Sequence, residues 1–171
     1  SKDRTTLYYL SNQARPKSPD LSVWKYDTAT RMGTRILAPE GLTAGTLKHS
    51  SNDDKLALTL SREGKANVGV FPLPEGPLVT LTDDGRSYGP AFSPDGTRVL
   101  FVKDVPGQMS ELHVMDVQGK GPSASVPGLS GFAPAWSSVP GPSDEEAALE
   151  YEIRHKGRPD PRAPTAVPPA K

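Results

Sequence analysis

The stretch Tyr88–Lys103, YGPAFSPDGTRVLFVK, decides how the rest of this chain folds. It reads as an apolar strand, a tight turn and a second strand running back. Ser93-Pro94-Asp95-Gly96 supplies the turn chemistry: proline pre-sets its own φ, aspartate bonds nearby backbone amides, and glycine tolerates φ > 0. Beyond the turn, Val99, Leu100, Phe101 and Val102 run without a polar break, as in a strand covered on both faces. Asp95 is expected to cap its own turn and Gly96 to hold a positive φ.

Weaker copies of this stretch lie on either side of it. Short strands are expected at Leu7–Leu10, Leu21–Tyr26 and Arg35–Ala38, with a polar loop over Asn12–Pro19 and a turn over Thr28–Gly33. A second set runs through Gly45–Leu47, Leu56–Leu60, Val68–Phe71 and Leu78–Leu81, broken at Arg62–Lys65. After the central stretch come Leu112–Met115 and a weaker strand near Ala124–Val126, and Phe132–Ser137 begins the set again. Asn52 matches Asp95 at a spacing of 43 residues, and Pro134-Ala135-Trp136-Ser137 matches Pro90-Ala91-Phe92-Ser93 at 44. The third strands align Trp24 with Phe71 and Met115. Four strands repeating roughly every 40–45 residues are the mark of propeller blades, and a sandwich has no reason to repeat in this way.

On those residues the chain resembles the TolB-like β-propeller repeat family, with its WD-like blades. The family signature "P-x-[FW]-S-P-D-G-x-x-[IVL]-x-[FY]" stands here as Pro90, Phe92, Ser93, Pro94, Asp95, Gly96, Val99 and Phe101, and Pro134 and Trp136 open a second copy. The likeness spans roughly residues 3–138 and implies an all-β chain of about three four-stranded antiparallel blades. It is specific for the blade, and the matched residues are architectural. The family implies a binding or scaffold role in a bacterial envelope (periplasmic) complex. Its related propellers gate prolyl-oligopeptidase-type serine peptidases, which is the alternative.

Composition narrows the partners. Twenty Lys+Arg balance twenty Asp+Glu, so net charge gives no argument for nucleic acid or an anionic membrane. There is no cysteine, which excludes disulfides and thiolate metal sites. No apolar run reaches the length of a membrane span, and the N-terminus has no signal-peptide pattern. A secreted protein with its signal removed would look the same.

Few residues point to chemistry. Asn52-Asp53-Asp54 and Asp83-Asp84 do not fit a calcium loop. Gly128-Leu129-Ser130-Gly131-Phe132 misses the nucleophile-elbow pattern by its last glycine. His49, His113 and His155 have no ligand spacing, and His49 aligns with Phe92. Trp24-Lys25-Tyr26 interleaves aromatic and basic groups, but its place in the repeat argues for packing over base stacking. No catalytic residue, metal or cofactor is expected.

Residues 1–140 are thus read as blades and 141–156 as an additional strand or short helix. Ser143–Glu146 has capping-box spacing, and Leu149–Ile153 alternates like a strand. The basic, proline-rich residues 157–171 are read as a disordered tail. The chain opens on a blade's second strand and closes on a first strand. Joining the two within one chain would make only three blades, so it is not expected to be a finished, solitary propeller. A second copy, another polypeptide or a longer precursor would complete it.

Overall fold

The computed structural model describes residues 1, 3–38, 41–131 and 133–136, which fall in one compact unit, Ser1–Trp136. The expectations for residues 141–156 and 157–171 lie outside the described residues.

Three antiparallel sheets follow one another along the chain, and no helix occurs among the described residues. The first holds β1 (Thr6–Ser11), β2 (Ser22–Asp27) and β3 (Met32–Leu37) in that order. The second holds β4 (Thr43–His49), β5 (Lys55–Arg62), β6 (Lys65–Pro72) and β7 (Val79–Thr80). The third holds β8 (Ser87–Phe92), β9 (Arg98–Lys103), β10 (Glu111–Asp116) and β11 (Ala124–Ser130). Each sheet is an up-and-down meander of sequential strands, as in a propeller blade.

Local chemistry sets the hairpins. Between β5 and β6, Glu63 and Gly64 sit at φ 51° and 77°, so two residues with φ > 0 close the pair Arg62↔Lys65. A turn of that hand matches the twist of the flanking strands. Asp27 Oδ1 accepts from the amides of Ala29 and Thr30 at 2.9 and 2.7 Å, which confines the next turn to a few residues. β3 therefore begins at Met32, three residues before the expected Arg35, and Gly33 lies in the ladder opposite Tyr26.

The apolar positions of β5 divide between two neighbours with the period of two that a strand imposes. Leu56, Leu58 and Leu60 pack with Val23, Ala44 and Phe71, and Tyr8 and Leu10 close this layer from the first sheet. Ala57 faces the other way, with Val68 and Val70, onto Val99 and Phe101 of the third sheet. Each fully buried leucine there contributes about 1.5–3 kcal/mol over an exposed one. The middle sheet is thus covered on both faces, which is why its strands are the most apolar.

Two strand expectations are corrected. The ladders place Leu7 opposite Tyr26, Leu56 opposite Phe71 and Val99 opposite Met115, so Tyr26, not Trp24, is the counterpart of Phe71 and Met115. The long β1–β2 loop shifts the count by two, which keeps the face and changes the residue. Ala133–Trp136 joins no ladder among the described residues, although a first strand was expected over Phe132–Ser137.

Candidate functional site

The signature residues build a self-contained turn. Ser93 is buried; its amide donates to the Arg98 carbonyl at 2.9 Å, and its hydroxyl accepts the Arg98 amide at 2.9 Å. The same hydroxyl donates to Asp95 Oδ1 at 2.5 Å, and Asp95 also accepts from the amide and hydroxyl of Thr97 at 3.1 and 2.8 Å. Those donors, the Ser93 hydroxyl foremost, hold the Asp95 carboxyl down at about 2. Gly96 takes φ 69°, and a Cβ there would meet Asn52 Nδ2 at 3.3 Å. Pro90 is fully buried in β8, at a bulge between Tyr88 and Ala91 where its missing N–H costs no ladder bond. Phe92 packs on the layer shared by the second and third sheets, while Pro94 is exposed.

The same turn stands at the head of the first sheet, just before the strand expected at Leu7–Leu10. The Ser1 hydroxyl donates to Asp3 Oδ1 at 2.6 Å and accepts the Thr6 amide at 2.9 Å. Asp3 in turn accepts from the amide and hydroxyl of Thr5 at 3.1 and 2.8 Å. The Asp3 carboxyl is likewise held at about 2, by the Ser1 hydroxyl first. Arg4 stands at φ 61° in the place of Gly96. The findable signal was Ser1-x-Asp3-x-Thr5, which matches Ser93-x-Asp95-x-Thr97 once proline and glycine are not required.

The middle copy is a variant. The Ser50 hydroxyl donates to Asp54 Oδ1 at 2.8 Å and accepts the Lys55 amide at 3.0 Å. Asn52, at the position of Asp95, is thereby released to reach the Asp95 carbonyl at 3.4 Å, and the Ser51 hydroxyl donates to the Pro94 carbonyl at 2.6 Å. The spacing of 43 residues is therefore also a contact: adjacent turns bond to one another.

Other groups with chemical potential have partners too, except the buried Nε2 of His49, which has no hydrogen-bond partner among the described residues. His113 is buried against Phe101, with Nδ1 3.1 Å from Ser123 Oγ and Nε2 3.0 Å from Glu111 Oε2. Sequence alone could not join these three, since Ser123 comes from the following loop. His49 stacks on Tyr8 at 5.2 Å, and its Nδ1 is 3.1 Å from Asp53. Burial pushes its pKa down and the Asp53 carboxylate pulls it back up. His155 lies outside the described residues. Ser130 ends β11 opposite Glu111, so the near-elbow is a strand end. Trp24 stacks on Tyr9 at 6.4 Å, and its indole N–H donates to the Ser11 carbonyl at 3.3 Å. Among the described residues no group of three metal-ligating side chains comes together.

At the other end of the sheets, away from the serine turns, charged side chains line open space. A cavity of about 290 Å³ is bordered by Asn12, Arg15, Asp20, Arg35 and Leu42. A second, of about 330 Å³, shares Asp20 and Gly41 with it and adds Arg62, at the end of β5, and Glu63 from the β5–β6 turn. No helix among the described residues is long and apolar enough to cross a membrane.

No family model matches the chain. Among curated proteins, the uncharacterized peptidase YuxL of Bacillus subtilis (strain 168) is 30% identical over 83 residues, 48% of this chain and 12% of that protein. Among solved structures, TolB from Acinetobacter baumannii superposes with a TM-score of 0.64 at 20% identity, covering 79% of this chain and 33% of that one. TolB from Agrobacterium tumefaciens gives 0.58 at 20% identity, covering 73% and 46%. A prolyl endopeptidase gives 0.52 at 12% identity, covering 71% and 20%. The chain spans a third to a half of the TolB chains it matches. At these identities the likeness is one of fold: the chain has a TolB-like β-propeller fold, built here as three antiparallel sheets.

Proposed function

We propose that this chain is a non-catalytic propeller portion that binds or scaffolds other proteins, in a bacterial envelope complex as the resemblance to TolB-like propellers implies. One observation carries the reading: the two ends of the sheets use their polar groups differently. At the turn end, the hydroxyls and carboxylates of Ser1, Asp3, Ser93 and Asp95 are spent on one another and on their own backbone. At the loop end, Arg15, Asp20, Arg35 and Arg62 line adjoining cavities. Loops on a rigid scaffold are where partners are met. Arg15→Glu combined with Arg35→Glu should weaken capture of an envelope protein by the immobilised chain at least tenfold, with unchanged circular dichroism. Undiminished capture would remove the loop end as the docking surface.

A second reading is favoured by the YuxL match and the prolyl endopeptidase likeness: a propeller gating a serine peptidase. An α/β-hydrolase sequence in the same polypeptide, together with hydrolysis of prolyl peptides by that longer protein, would establish it over the first.

A further inference from the structure

The β1–β2 loop is longer than the β5–β6 and β9–β10 loops at the equivalent places, and its own hydrogen bonds hold it in shape. The amides of Arg15 and Ser18 donate to the Asn12 and Arg15 carbonyls at 2.7 and 2.9 Å. The Asn12 side-chain amide donates to the Ser18 carbonyl at 3.1 Å, and the Ser18 hydroxyl donates to Asp20 Oδ2 at 2.9 Å. The loop is then tied to the second sheet. The Leu21 amide donates to the Thr43 hydroxyl at 2.7 Å, and the Ala44 amide donates to the Leu21 carbonyl at 3.0 Å. A loop held in this way need not be ordered when a ligand arrives, which lowers the cost of binding.

The cavity of about 290 Å³ takes Arg15 and Asp20 from this loop and Arg35 from β3. Among the described residues neither guanidinium has an ion-pair or hydrogen-bond partner, and Asp20 has bonded only Oδ2, leaving Oδ1 open. Two positive groups and one negative give the lining a net charge of +1. Leu21 and Leu42 add an apolar wall. The volume is at the low end of small-molecule sites, which run from roughly 300 to 1,000 Å³. A chain end or a single side chain fits such a space, and a folded surface does not.

We propose that this cavity holds the free C-terminal end of a partner polypeptide, with its carboxylate on Arg15 and Arg35 and the N–H of its last residue on Asp20. Guanidinium groups bind carboxylates through paired N–H donors in a fixed fork. A terminal residue carries its carboxylate and its N–H on one Cα, so it meets both signs of charge in the lining at once. A net charge of +1 suits a monoanion, and Asp20 works against a phosphate dianion. Leu21 and Leu42 favour an apolar side chain on that residue. The rest of the peptide has a way out, because the cavity bordered by Arg62 and Glu63 adjoins at Asp20 and Gly41. The inference rests on the reading that the loop end meets partners, and it adds which part of a partner is met.

The test titrates N-acetyl-Ala-Ala-Leu with a free carboxylate into the isotope-labelled chain and compares it with the same peptide ending in an amide. The backbone amide resonances of Ala14, Ser22 and Gly41, which line the cavity, should shift and saturate with the free acid. The amidated peptide should bind at least tenfold more weakly, and so should the free acid on Arg15→Gln or Arg35→Gln chain. Arg31→Gln, an exposed arginine outside the cavity, should leave the affinity unchanged. A peptide ending in proline, which has no N–H for Asp20, should bind several-fold more weakly than the leucine peptide. Equal affinity for acid and amide overturns the proposal. So does displacement of the peptide by an equal concentration of inorganic phosphate, which would mark a general anion site. Capture of a partner that depends on Arg15 and Arg35, without preference for acid over amide, counts against this inference alone. Acid-selective peptide binding with undiminished partner capture counts against the proposed function alone.

Discussion

Leu56 in β5 and Leu7 in β1 hold the same position of the repeat, four residues past Asn52 and Asp3. Leu56 is fully buried between two sheets, and Leu7 is 56% exposed. Their strands and their pairing to the next strand are alike, and in the turn before each a serine hydroxyl accepts the amide five residues on. What differs is what lies outside them. β5 has β4 on its edge and the first sheet over its face, whereas β1 has neither among the described residues. Sequence pattern fixes the strand, but burial comes from neighbours, so equal residues in equal strands carry unequal energy.

The contrast is broken most directly by truncating both leucines. Leu56→Ala should cost about 2–5 kcal/mol, because the site is closed on every side and relaxes poorly. Leu7→Ala should cost under about 1 kcal/mol, since half the side chain already meets water. Equilibrium urea denaturation measures both, and equal losses would mean that the two sheets are equally covered.

The turns sharpen it at the next level down. Gly96→Val places a β-branched residue at φ 69° with its Cβ against Asn52 and should cost about 1–2 kcal/mol. Arg4→Gly, at the equivalent φ of 61°, should instead gain about 0.5–1 kcal/mol by relieving the same strain. Opposite signs are expected from the same denaturation experiment. A Gly96→Val chain as stable as the parent would remove the strain argument at both turns.

The smallest effect concerns pH. His49 has its pKa lowered from 6.5 by burial, against the pull of Asp53, so the unfolded chain binds this proton more readily than the folded one. Its contribution to stability is whole above pH 6.5 and declines as pH falls through that value. His49→Phe installs the residue found at the equivalent position, Phe92, and should flatten this decline. Stability measured at pH 7.5 and pH 5.5 decides it, and equal slopes in parent and variant would mean that the histidine is not the sensor.

The blade repeat was legible because its strongest copy, Pro90–Phe101, keeps every residue whose backbone demand is special. Where those residues change, the reading faltered. Ser1–Thr6 was passed over because lysine and arginine replace proline and glycine, although the serine, aspartate and threonine that make the bonds remain. Trp24 was matched to Phe71 because counting along the chain cannot allow for the length of the β1–β2 loop. The contact of His113 with Ser123 was out of reach, since it depends on which loop folds back over β10, whereas Glu111 lies two residues away on the same face of that strand. The two charged cavities at the loop end were hidden for the same reason: Arg15, Asp20 and Arg35 of one, and Asp20 and Arg62 of the other, are distant in sequence and have no motif.

Amide hydrogen exchange resolved along β1 and β5 tests most directly whether the first sheet is an incomplete copy of the second. Exchange should be slow in Lys55–Arg62 at every protein concentration. In Thr6–Ser11 it should be fast, because that edge of β1 has no paired strand among the described residues. Protection in β1 that equals β5 would show that its edge and face are already covered, and β1 would not be an uncovered counterpart of β5.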